Sequence, residues 1–104
     1  MNIKKHPIYT DYAADSDGNI YSLKIKQKKL KQYEKRNGYL YFKIYQGKTI
    51  KNYYSHRFVY ECFHNKTIDE NKEIDHINSD KKNNSIGNLQ EITQQSNLQK
   101  RKFT

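Results

Sequence analysis

The chain has 104 residues, of which 34% are hydrophobic and 30% charged, with a mean hydropathy of −1.22. This suits one domain, or two small lobes sharing a thin core. A lone cysteine and the lack of any long apolar run exclude a disulfide framework and a membrane-spanning helix. The net charge of +9 points to a polyanionic partner and is unevenly spread: residues 1–54 carry 12 Lys/Arg against 4 Asp/Glu, residues 55–104 carry 8 against 7.

In chain order, Asp17-Gly18, Asn37-Gly38 and Gln46-Gly47 are turn signals that separate segments of strand character. Residues 20–26 alternate, with Tyr21, Leu23 and Ile25 on one face and Ser22, Lys24 and Lys26 on the other. Residues 39–45 alternate as well, Leu40, Phe42 and Ile44 against Tyr39, Tyr41, Lys43 and Tyr45. A period of two gives each strand an apolar core face and a Tyr/Lys outer face. Residues 26–36 read as strand, because Leu30 and Tyr33 give a weak helical stripe.

At residues 55–64 the period changes. Phe58 with Cys62, and Val59 with Phe63, are spaced i, i+4 as on a short helix, with Ser55 as its expected N-cap. A short strand is expected around Ile74-Asp75-His76, a loop over residues 78–84, a second strand over residues 89–92 and a terminal helix from Thr93. His6 and His64 read as surface residues, and Cys62 as core. The fold class is therefore α+β: an N-terminal antiparallel sheet over residues 1–54, then a helix and a ββα unit over residues 55–104.

The chemistry concentrates near the C-terminal end. Glu73-Ile74-Asp75-His76-Ile77-Asn78 is followed by Asn83-Asn84, by Asn88-Leu89 and by Asn97. Hydrolysis of a phosphodiester needs a base near neutrality, which a histidine supplies. It also needs charge neutralisation at phosphorus, which a hard cation on carboxylate and carboxamide oxygens supplies. Taken singly, Asp75-His76 reads as a hydrogen-bonded loop pair, the asparagines as turn residues and Asn97 as an exposed helix residue. On an ideal strand Asp75 and His76 face opposite sides, so joint action requires a strand end or a twist.

Residues 55–98, including Ser55-His56-Arg57, resemble the ββα-metal domain of HNH endonucleases, in particular the phage-type HNH homing endonucleases. Upstream, Tyr9-Thr10-Asp11-Tyr12-Ala13 and the segment from Asp17 to Leu23 are similar to a small β module often found ahead of that nuclease. The resemblance implies His76 as general base, Asn88 as the residue that holds the loop and orients the imidazole, and Asn84 as a loop support. It implies Asp75 and Asn97 as ligands of one Mg²⁺ or Mn²⁺ ion. Asn97 stands in the place of the family's second histidine, a replacement that favours hard metals.

Duplex DNA is the implied partner, on a surface made by Lys24, Lys26, Lys43 and Lys51 with Tyr39 and Tyr41 beside them and Arg57 near the cleaved phosphate. A monomer would nick, and a homodimer would cut both strands. The alternatives are a non-catalytic DNA-binding protein with a degenerate HNH fold, and a structure-specific or RNA nuclease using the same site. No signal-peptide pattern opens the sequence, so a cytoplasmic location is expected, the host cytoplasm if the gene is phage-borne. The sequence ends soon after Asn97, where related homing enzymes usually carry further DNA-binding elements, so a long recognition site is not expected.

Overall fold

A computed structural model describes residues 3–69 and 71–93. Among these residues three antiparallel sheets pack around one α-helix. The first has the order β1-β2-β3-β4, from β1 (Ile3–Lys5), β2 (Tyr12–Asp15), β3 (Ile20–Ser22) and β4 (Lys28–Lys29). The second comprises β5 (Tyr33–Glu34), β6 (Leu40–Gln46) and β7 (Thr49–Tyr54), and the third β8 (Lys72–His76) and β9 (Leu89–Thr93). Glycine at φ +93°, +89° and +56° makes the turns at Gly18, Gly38 and Gly47 where the sequence signalled them.

Helix α1 (Ser55–His64) touches all three sheets, because Phe58, Val59 and Cys62 form its apolar stripe. They pack with Tyr12, Ala14, Ile20, Phe42, Ile44, Ile74 and Leu89 into one cluster joining both halves of the chain. The helix ends at Asn65, whose left-handed backbone (φ 51°) turns its amide back to the Glu61 carbonyl. Among the described residues no helix is long and apolar enough to cross a membrane.

Several local expectations are corrected. The alternation of residues 20–26 does not make one strand, for β3 stops at Ser22 and the chain turns so that β4 can pair back on it. Lys24 and Lys26 thus sit in a connection, and Ile25 is fully exposed. Ser55 does not cap α1. Its hydroxyl is buried with no hydrogen-bond partner among the described residues, and Tyr54 occupies the cap position without a side-chain bond. The terminal helix expected from Thr93 lies outside the described residues, apart from Thr93 itself, which ends β9.

His6 is not a surface residue; it is 1% exposed and stacked on Phe58 at 4.7 Å. Its Nδ1 accepts the Ile8 and Tyr9 amides, so the ring proton lies on Nε2 and is donated to Glu61 Oε1 at 2.8 Å. Burial pushes the Glu61 carboxyl up, but bonds from His6, the Tyr53 hydroxyl and the Ile68 amide outweigh it and hold the group below its ordinary value. This buried network ties β1 and β7 to α1 and to the chain that leads into β8.

Candidate active site

Strand β8 delivers Asp75 and His76. Strand alternation buries Ile74 and His76 (6% and 4% exposed) and turns the half-buried Asp75 the other way. Opposite Asp75 in the register is Gln90 of β9, whose Nε2 donates to Asp75 Oδ2 at 2.8 Å. His76 is the last residue of β8, and the Ser79 amide bonds its carbonyl at 2.9 Å to start the following turn. His76 thus stands at the strand end, with Asp75 on the opposite face of the strand.

The imidazole of His76 is held through Nε2, 2.7 Å from Asn84 Oδ1. An amide oxygen only accepts, so Nε2 carries a proton and, in the neutral ring, Nδ1 is the nitrogen with the lone pair. Asn84 is 3% exposed and orients the ring directly, a role the sequence placed on Asn88. Asn88 instead clamps the loop: its Nδ2 donates to Asn78 Oδ1 and the Asn83 carbonyl, both at 2.9 Å, and its Oδ1 accepts the Asn78 amide at 3.1 Å. With both amide hydrogens engaged there, Asn88 supports the loop and Asn84 supports the histidine.

A cleft of about 290 Å³ is lined by Tyr39, Tyr54, His56, Arg57, Glu73 and Asp75; the His76 ring lies behind it, against Tyr39 and His56. His56 stacks on Tyr39 with ring centres 5.0 Å apart and lies 5.0 Å from the His76 ring. Burial, then the neighbouring His76 and Arg57, push His56 down to about 3, so it is neutral at physiological pH. Its Nδ1 is buried without a hydrogen-bond partner among the described residues. Arg57 lines the cleft while Nη2 donates to the Ile68 carbonyl and Nε lies 3.6 Å from Glu61.

Asp75 and Glu73, two residues apart on one strand, line the cleft and are hard carboxylate donors by chemistry, while Cys62, the one soft thiol, is buried in the core. That donor chemistry fits a Mg²⁺-like ion. Asn97, the second expected ligand, lies outside the described residues. Among the described residues no group of three or more His, Cys, Asp or Glu forms a metal cluster.

The expected DNA-binding residues do not share one face. Cross-strand register puts Tyr41, Lys43 and Tyr45 with Tyr54, Asn52 and Ile50 on one side of the β6–β7 ribbon. Lys51 pairs with Ile44 on the other side, where its ammonium covers the Tyr9 and Tyr53 rings. Tyr39 belongs to the cleft, not the ribbon. Lys24 donates to the Tyr45 carbonyl, which ties the 23–27 connection to the ribbon. Adjacent lysines in a linear pattern say nothing about which partner strand they meet, so this partition was not readable in advance.

Residues 53–99 match the family model described as HNH endonuclease. A solved structure on DNA binding and cleavage by the HNH homing endonuclease I-HmuI is similar at 28% identity and a TM-score of 0.81. The likeness covers 97% of this chain and 57% of that one, so the chain spans little more than half of its length. No curated protein sequence matches. The segment with the Asp75-His76 pair and its asparagine loop thus matches the HNH endonuclease family, and nearly the whole chain is similar in fold to a homing endonuclease of that family.

Proposed function

We propose that the chain is a DNA endonuclease dependent on one divalent ion, Mg²⁺ or Mn²⁺, with residues 1–54 as its DNA-binding part and residues 55–104 as its nuclease part. The observation that carries this reading is His76, fixed by Asn84 with its lone pair on Nδ1, at the end of the strand that presents Asp75 to an open cleft. The HNH match over those residues supports it, as does a charge excess concentrated in residues 1–54.

Asp75 and Asn97 would hold the ion, which when bound neutralises phosphate charge and stabilises the departing oxygen. His76 Nδ1 takes a proton from the attacking water as the water oxygen bonds to phosphorus and the phosphorus–oxygen ester bond breaks. Asn84 Oδ1 keeps accepting from Nε2, which favours the imidazolium formed in that step. Tyr39 and the neutral His56 flank the ring and limit its rotation. Duplex DNA is the proposed substrate, with phosphates met by Lys43 on the ribbon's outer face and by Lys24 and Lys26 in the adjoining connection. One site cuts one strand, so a monomer nicks.

A supercoiled plasmid incubated with Mg²⁺, with EDTA and with Asp75→Ala tests this. Nicking is expected with Mg²⁺ alone, while Asp75→Ala keeps DNA binding in a gel shift. Binding without nicking by the wild type under Mg²⁺ or Mn²⁺ would favour a non-catalytic DNA-binding protein. Preferential cleavage of RNA or single strands in competition would replace the substrate and keep the site.

A further inference from the structure

We propose that the β2–β3 turn, residues 15–19, positions the catalytic histidine by seating Asn84, and that Gly18 makes the seat possible. This rests on the reading of His76 as the base. The turn carries Asp15, Asp17 and no basic residue, so it is unsuited to phosphate, yet it is closed by several hydrogen bonds to Asp15. Asp15 is fully buried. Its Oδ1 accepts the Asp17 and Asn19 amides, and its Oδ2 accepts the Asn19 side chain and the Tyr21 hydroxyl, at 2.8 to 3.0 Å.

The turn grips the asparagine loop at two points. The Ser16 carbonyl accepts the Ile86 amide at 2.9 Å. Two residues earlier in the loop, Asn84 lies against Gly18 so closely that a Cβ there would be 2.7 Å from the Asn84 carbonyl oxygen and 2.9 Å from its Cβ. These are backbone and near-backbone atoms with no flexible end to swing aside. Gly18 also has φ +93°, a conformation L side chains rarely adopt. Any side chain at 18 therefore displaces Asn84, and with it the 2.7 Å bond to His76 Nε2. Displacements approaching 1 Å at a reacting group cost on the order of 100-fold in rate.

Gly18→Ala tests the link by steady-state nicking and by the ¹⁵N chemical shifts of the His76 ring, which report its tautomer whether or not the chain cuts DNA. The expected result is a fall in kcat of roughly 10- to 100-fold with KM for DNA unchanged and loss of the pure Nε2–H tautomer. Gly18→Ala added to Asn84→Ala should then cost little more than Asn84→Ala alone. If Gly18→Ala does not fold, Asp15→Asn, which weakens the turn without adding bulk, should give the same pattern in milder form. An unchanged tautomer, or an equal loss of kcat in the Asn84→Ala background, overturns the proposal. A tautomer change in a chain that nicks nothing would keep the positioning link and sink the nuclease reading.

Discussion

Asn84 Oδ1 lies 2.7 Å from His76 Nε2, inside the fold, and so decides which nitrogen of the imidazole carries the proton. Asn84→Ala leaves that N–H buried with no acceptor, a cost of about 1–3 kcal/mol in stability. The nicking rate should fall on the order of 10- to 100-fold as the ring loses its orientation. Single-turnover cleavage with a binding control measures this; an unchanged rate would place the orienting group elsewhere.

Ser55 gives a prediction opposite in sign to its sequence pattern. A capping serine replaced by alanine loses about 1 kcal/mol. The Ser55 hydroxyl is buried and makes no bond among the described residues, so Ser55→Ala should be neutral or slightly stabilising. A drop in denaturation midpoint equivalent to 1 kcal/mol would mean that the hydroxyl has a partner after all.

His56 predicts a pH dependence of stability. Burial lowers it from 6.5 to about 3, so the folded chain refuses a proton that the unfolded chain binds. Its contribution is complete above pH 6.5 and erodes as pH falls toward 3, amounting to roughly 1–2 kcal/mol between pH 7 and pH 5. That window lies above the range where Glu61 titrates, since its carboxyl is held below 4.5. His56→Phe, which keeps the stacking on Tyr39, should flatten the curve between pH 5 and 7. An equally steep curve in the variant would contradict the burial account.

The two faces of the β6–β7 ribbon make a paired prediction about DNA. Phosphate contacts release counterions, so binding should weaken steeply with salt. Lys43→Gln, on the outer face, should lower the slope of log K against log salt by about 1. Lys51→Gln should leave it unchanged, because that side chain lies on the other face, where its ammonium donates to the Tyr9 hydroxyl at 3.3 Å. Equal slopes for both variants would remove the face distinction.

Much of this was legible in the sequence for identifiable reasons. Gly18, Gly38 and Gly47 marked turns because left-handed backbone favours glycine. The i, i+4 stripe of α1 and the alternation of β6 appeared because burial imposes those periods. What failed needed tertiary information. Ile25 continued an alternating pattern past the end of its strand, since pairing with β4 and not periodicity sets where β3 stops. His6 looked exposed because nothing local shows that Glu61, fifty-five positions on, accepts its proton. Asn84 and Asn88 were both identified, but their roles depend on which amide reaches His76, and loop geometry alone decides that.

The central claim is that His76 is the base. The most direct measurement is the single-turnover rate of plasmid nicking at saturating Mg²⁺ for wild type and His76→Ala, with DNA affinity determined for both. The account predicts a loss of at least about 100-fold in rate with affinity held. Nicking by His76→Ala at the wild-type rate would contradict it.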